Sequence, residues 1–328
     1  MARKPLKVTF TDIVPEVEPF IGRWLPRIVD YEVVPPERLA GEKPDLLFYG
    51  DGKAKLYRKF PDCTRVCVTF ENLYPDWSEA DYFVAYAHIR HPRYLRMPDW
   101  AIIHEPHRFL KEPGYAERVL AEKREFCAFV ASNGNPRRTR RRLEFFPKLN
   151  ARRRVSSGGR VFNNIGHCIE DHQAFARGHR FYMAFENASF PGYTTEKIAD
   201  GMVNGCVPIY WGDPIVGRDF NPRSFINVSD FADDDEAITH VERVDADPAL
   251  YRALLEEPFF HGNKPPALFD EERILGFLRR MVEDPRPRRR LFALRPGLFK
   301  MRRRMQPYLE SVFGRAAMRW NYTIWPED

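Results

Sequence analysis

The run 180–214, RFYMAFENASFPGYTTEKIADGMVNGCVPIYWGDP, constrains this chain more than any other stretch. Residues 181–185 are apolar and aromatic, the composition of a buried strand. The strand stops at Glu186-Asn187, and Pro191-Gly192 forces a turn. Thr194 or Thr195 is placed to cap a following helix, whose apolar positions Ile198, Met202 and Val203 are helically spaced. Gly205 ends that helix, and residues 206–211 resume as a β-branched and aromatic strand. The pattern predicts one β-loop-α-β unit, with its charged residues where the loop meets the helix.

Open parallel sheets bind ligands beyond the carboxyl ends of their strands. A helix start adds unpaired N–H groups and positive dipole, which suit phosphate. Lys197 supplies a full positive charge there. Glu196 can accept hydrogen bonds from a sugar or ribose hydroxyl, or it can simply complete the first helical turn, as in many helices that open with such a tetrapeptide.

The same alternation runs through the chain. Strands are predicted at 7–10, 31–34, 45–49, 66–70 and 81–85, and again at 126–131, 181–185, 207–211 and 225–228. Late helices are predicted at 235–244, 248–256 and 270–283, the last opening on an Asp cap. Repeated β-α alternation in 328 residues implies an α/β protein with two parallel-sheet domains. The polar stretch 115–124 suggests the seam. The expected division is therefore an N-terminal domain at 1–120, a C-terminal domain at 121–285 and a basic tail at 286–328. A hydrophobic share of 44% supplies substantial cores and argues against disorder. Five scattered cysteines, with no CxxC pair, point to reduced thiols in the cytoplasm.

FENASFPGYTTEKI followed by VPIYWGDP closely resembles the donor-binding signature of the α-1,3/4-fucosyltransferases, glycosyltransferase family 10, and of its bacterial branch above all. The resemblance continues through DFNPRSFINVSDFADDDEAI. Weaker echoes lie in FVASN at 129–133 and RYLRMPDW at 93–100, so that it covers about residues 60–285. It implies the GT-B arrangement, two facing Rossmann-like domains, the first binding acceptor and the second binding donor. It also implies an inverting transfer of L-fucose from GDP-fucose to a hydroxyl of an N-acetylglucosamine-containing glycan, in α-1,3 or α-1,4 linkage. Such a glycan would belong to a surface polysaccharide, free or carried on lipid. No cofactor is expected. Enzymes of this fold generally stabilise the leaving diphosphate with cations and helix dipole, and the chain has no DxD flanked by apolar strands. Asp233-Asp234-Asp235 reads as a surface turn that caps a helix, and no metal site is assigned.

On the motif positions, Lys197 is the first phosphate ligand, and Tyr193, Asn187, Glu186 and Glu196 contact nucleotide or sugar, Glu196 with a catalytic part. The family's phosphate arginine aligns with Arg138 in NGNPRRTRRR, with Arg137 and Arg140 as near misses; a guanidinium can hold two phosphate oxygens at once. Arg160, beside Gly158-Gly159, is a further possibility. The family's proposed base aligns with Glu71, after the strand VCVTF, although Phe70 stands where relatives carry glycine; Glu186 and Asp99 are its rivals. Arg96 and Trp100 are expected to line the acceptor site, with a structural role open for the tryptophan.

Residues 286–304, RPRRRLFALRPGLFKMRRR, hold nine Arg/Lys and no Asp or Glu. This interleaving of basic and apolar residues suits an anionic membrane surface, or packing back on the fold. With no apolar run near the roughly 18 residues a span needs, a cytoplasmic protein peripheral on the inner face of the membrane is expected. Two alternatives stand beside the fucosyltransferase: a transferase of another GDP-sugar, and a basic nucleic-acid binder. The latter lacks any recognised binding module, so no nucleic-acid partner is expected.

Overall fold

The structure, a computed structural model, describes residues 4–283 apart from 51–55, 61, 74 and 76–78. The basic tail, read from the sequence as suiting a membrane surface or packing back on the fold, lies outside the described residues. The chain divides into two compact units. Among the described residues the first comprises 4–98 with 270–283, and the second is Asp99–Phe269.

The first unit is built on six strands: β1 (Leu6–Thr11), β2 (Tyr31–Val33), β3 (Leu46–Tyr49), β4 (Thr64–Val68), β5 (Tyr82–Ala85) and β6 (Tyr94–Arg96). They pair in the order β2-β1-β3-β4-β5-β6, every pair parallel. Every residue of β3, β4 and β5 is buried, which is why β3 and β5 read as continuous apolar runs and not alternating ones, while β4 opens on the buried polar pair Thr64-Arg65 before its apolar end. β6 was not anticipated, because three residues, one of them an arginine, carry no periodicity to read.

Helix Glu271–Glu283 returns to this first unit. It buries Ile274, Leu275, Phe277, Leu278, Met281 and Val282. Tyr82 meets Phe277 edge-on at 5.7 Å, and its hydroxyl donates to the Arg280 carbonyl at 3.0 Å. The division therefore differs from the expected 1–120, 121–285 partition: it falls after Pro98, and the last described helix crosses back. Polar composition at 115–124 suggested a seam. That stretch is instead helix Tyr115–Glu122, held in the second unit by an ion pair from Glu117 to Arg252 and by Tyr115 edge-on to Phe259. Its polarity marks a solvent face.

The second unit carries β7 (Glu125–Phe129), β8 (Val155–Ser157), β9 (His179–Phe185), β10 (Val207–Trp211) and β11 (Ile226–Asn227). Their order is β11-β10-β9-β7-β8, again all parallel. From β7 the chain steps outward to β8, then returns to the other side of β7 for β9 and continues outward. The topological switch therefore lies between β7 and β9, the place where a doubly wound sheet opens a crevice at its carboxyl edge. The expected fold class, α/β of the GT-B type with two Rossmann-like parallel-sheet domains, is the one found.

Helix Glu196–Val203 covers β9 and β10 through Ile198, Ala199, Gly201 and Met202. A Cβ at Gly201 would lie 3.1 Å from the Tyr182 Cβ and 3.3 Å from Pro208 Cγ, so glycine lets helix and sheet approach closely. Gly205, at φ +70°, ends the helix as expected.

Candidate active site

Three segments leave the carboxyl edge of the second sheet around its switch point. After β7 comes a loop and helix Pro136–Arg152. After β9 come Glu186 and the loop to helix Glu196–Val203, and after β10 come Gly212 and Asp213. The β9 loop is held from two sides by buried carboxylates. Asp213 accepts from the Gly192 amide at 2.7 Å and from the Thr194 hydroxyl at 2.9 Å. Glu186 accepts from the Thr195 amide and the Thr195 hydroxyl, both at 2.7 Å.

Thr195 is the helix N-cap residue, but its hydroxyl does not cap the helix in the expected way. It turns back to Glu186 and also accepts from Lys197 Nζ at 2.7 Å. Lys197 Nζ further donates to Glu196 Oε1 at 3.0 Å and stands 3.4 Å from Glu186 Oε2. Burial alone would discharge this ammonium; the adjacent Glu186 and Glu196 carboxylates outweigh it and hold the lysine firmly charged. Burial pushes the Glu186 carboxyl upward, while Lys197 pulls it back down. For Glu196 the balance goes the other way: burial raises it, and Lys197 with a hydrogen bond from Asp99 carries it below the usual carboxylate range. The Glu196 side chain keeps 36% of its surface open to solvent, against 0% for Glu186.

These facts separate the expected ligands. Lys197 and Glu196 stand at the helix start with surface to offer. Glu186 has none, so it supports Thr195 and Lys197 from beneath instead of touching a donor itself. Tyr193 is buried beside it in the loop. Asn187 is half-buried, and its Oδ1 accepts from Arg142 at 2.6 Å, a guanidinium that also binds the Phe185 carbonyl at 2.9 Å. Arg142 was missed by the sequence reading. It is one of five arginines in a short run, and only the turn of the helix decides which of them points inward.

Arg138 is exposed in the first turn of helix Pro136–Arg152, which Asn135 caps through the Arg137 amide. Thr139, at φ −127° and ψ 22°, breaks the helical path just beyond it. Arg140 is paired to Glu144 at 2.6 Å. Arg141 is drawn to Asp234 and lies over the rings of Phe145, Phe185 and Trp211. The acidic run is occupied as read: Asp233 caps the Glu236 amide at 2.9 Å, and Asp234 also receives Lys148 at 2.8 Å. Arg160 is exposed, but Gly158-Gly159 serve packing. A Cβ on Gly159 would fall 2.3 Å from the Ala131 carbonyl oxygen, and one on Gly158 would strike Ile169.

Trp100 is wholly buried among Phe109, Phe220, Phe260 and Phe269. It is a core residue of the second unit and offers no face for an acceptor. Arg96 is buried in β6, where Nε donates to the Tyr86 carbonyl at 3.0 Å, so its expected acceptor contact has no exposed guanidinium behind it. Glu71 is exposed beyond β4, and its amide donates to Thr69 Oγ1 at 3.3 Å. Glu186 is sealed, and Asp99 is held as the acid by burial and by Glu196, so it has a proton to give and none to take.

Parallel α/β units with a cation seated at a helix start beyond the second sheet make this a protein of the GT-B class, and comparison with known proteins narrows the class. Residues 120–256 match the family model described as glycosyltransferase family 10 (fucosyltransferase) C-term, and residues 8–103 match the alpha-(1,3)-fucosyltransferase FucT N-terminal domain. The chain is 31% identical over 280 residues to the alpha-(1,3)-fucosyltransferase FucT of Helicobacter pylori, covering 74% of this chain and 58% of that protein. An alpha-(1,4)-fucosyltransferase of Arabidopsis thaliana is 30% identical over 115 residues, 29% of each chain. Among solved structures, an alpha1,3-fucosyltransferase with GDP-fucose superposes with a TM-score of 0.65 and 29% identity, covering 87% of this chain and 93% of that one. The chain belongs to glycosyltransferase family 10. It spans little more than half the length of the H. pylori relative.

Proposed function

We propose that the protein is an inverting fucosyltransferase that moves L-fucose from GDP-fucose to a hydroxyl of an N-acetylglucosamine-containing glycan, forming an α-1,3 or α-1,4 linkage. The observation that carries this reading is the Lys197 ammonium, kept charged at the start of a helix beyond β9, inside the motif shared with the family. The relative solved with GDP-fucose supports the donor.

In this reading the acceptor oxygen attacks C1 of fucose on the face opposite the diphosphate. The C1–O bond to phosphate breaks and its electron pair leaves on GDP, so the β-linked donor gives an α-linked product. Lys197, the first-turn amides and Arg138 stabilise the charge that develops on the leaving group. Glu196 accepts hydrogen bonds from the sugar, and its negative charge favours positive character at C1. Glu71 takes the acceptor proton. Because cationic side chains and helix dipole do at the diphosphate what a metal would otherwise do, no metal is required for the chemistry. The acceptor is assigned to a surface polysaccharide, on the cytoplasmic side of the membrane. No helix among the described residues is long and apolar enough to cross a bilayer.

The test is release of GDP from a panel of nucleotide sugars with an N-acetyllactosamine acceptor, with product linkage read by NMR and with EDTA in a parallel series. GDP-fucose should be turned over in preference, with and without chelator, and Lys197→Ala should lower kcat by about 10²–10³-fold. Preferential use of GDP-mannose, dependence on added manganese, or near-wild-type activity of the lysine variant would each overturn the corresponding part.

A further inference from the structure

Helix Asp99–Ile103 lies along helix Glu196–Val203, and two side-chain contacts join them. His104 Nε2 meets Asp200 Oδ1 at 2.9 Å, just past the end of the shorter helix. About one turn toward the start of both helices, the Asp99 and Glu196 side chains are hydrogen-bonded to each other. Two carboxyl groups can make that bond only if one of them holds a proton. Asp99 is the one that does. The residue is 6% exposed, and its Oδ1 is committed to the Trp100 amide at 2.7 Å. The charged groups facing it are Glu196 and Lys197 from the adjoining helix and Glu186 from the end of β9.

We infer that Asp99 is a positioning residue for this site: its carboxylic acid donates a hydrogen bond that holds the Glu196 carboxylate in place, and it adds no negative charge beside Lys197. The inference rests on the reading of Lys197 and Glu196 as donor ligands. Its consequence is electrostatic. Glu186 and Glu196 already set two carboxylates against Lys197 and Arg142. A third, ionised at Asp99, would repel an incoming diphosphate and push Glu196 out of line. Burial keeps Asp99 neutral, and neutrality keeps the anion site open.

Asn and Ala at position 99 separate the roles. An asparagine retains an N–H donor for Glu196 and an oxygen for the Trp100 amide, with no charge at any pH. Three measurements are required on full-length wild type, Asp99→Asn and Asp99→Ala: kcat and KM for GDP-fucose, GDP affinity across a pH series by calorimetry, and infrared difference spectra at neutral pH. The wild type minus Asp99→Asn spectrum should show a carboxylic-acid C=O band. Asp99→Ala should lose kcat at least tenfold, and Asp99→Asn should recover most of that loss while holding GDP to higher pH than wild type. Absence of the acid band, or an asparagine variant no better than alanine, would overturn the inference. Failure of the functional reading looks different: the acid band would persist in a wild-type protein that binds no GDP at any pH.

Discussion

Glu186 grips Thr195 by both ends of its carboxylate, one oxygen on the amide and the other on the hydroxyl, each at 2.7 Å. The second oxygen also stands 3.4 Å from Lys197 Nζ, so a single sealed carboxylate fixes the backbone at the helix start and keeps the lysine charged. Removing its charge while keeping its shape should be felt in catalysis. Hydrogen bonds to charged groups contribute about 1.5–3 kcal/mol each, so Glu186→Gln should lower kcat/KM for GDP-fucose about tenfold or more. Steady-state assays at saturating acceptor check this; an unchanged value would sever Glu186 from the site.

Gly212 leaves room for that carboxylate. A Cβ at position 212 would sit 2.3 Å from Glu186 Cγ and 2.8 Å from both Glu186 Cβ and the Tyr210 hydroxyl. Gly212→Ala should therefore displace Glu186, cost about 1–3 kcal/mol of stability and reduce transfer with it. Thermal unfolding and activity, measured together, are expected to fall in step; a fully active and fully stable variant would contradict the geometry.

Glu71 is exposed beyond the carboxyl end of β4. If it accepts the acceptor proton, Glu71→Gln should lower kcat by at least about 10²-fold, the usual scale of general base catalysis, with the Kd for GDP unchanged. Calorimetry with GDP beside turnover measurements separates the two. Equal kcat in variant and wild type would remove Glu71 from the reaction.

Lys111 gives a prediction about stability alone. Its ammonium is seated 3.7 Å over the Phe259 ring and donates to the Leu255 carbonyl at 2.7 Å and the Glu257 carbonyl at 2.5 Å. Burial lowers its pKa from 10.5 to about 7, with Glu257 opposing weakly. In that window the unfolded chain binds a proton that the folded chain does not. Stability contributed by this site is therefore full above pH 10.5 and is lost as pH falls toward 7, with a slope approaching about 1.4 kcal/mol per pH unit. Denaturant melts from pH 7 to 10 should show this rise in wild type and not in Lys111→Met.

Most of the second unit was legible because its signals are local. Residues 181–185 and 207–211 are apolar enough to be strands in any context, and they lie within or coincide with β9 and β10. Helices predicted at 248–256 and 270–283 were found within a residue, since their caps and apolar stripes are written in neighbouring positions. Strand β6 escaped because three residues give no period. The seam escaped because polarity marks a solvent face as readily as a linker, and nothing local announces that Phe277 packs against Tyr82.

The site divides the same way. Sequence alone identified the segment, the helix start and the charged pair Glu196-Lys197, because a motif of contiguous residues keeps its chemistry wherever the chain is placed. It could not distinguish ligand from support. Glu186 is sealed beneath Thr195, Trp100 fills an aromatic core, Arg142 turns inward while Arg138 stays exposed, and Asp99, 97 positions before Glu196, shares its proton. Burial and partnership between distant residues arise only when helices and strands pack. Those two quantities decide whether a carboxyl group meets a substrate, carries a charge or holds its neighbour still.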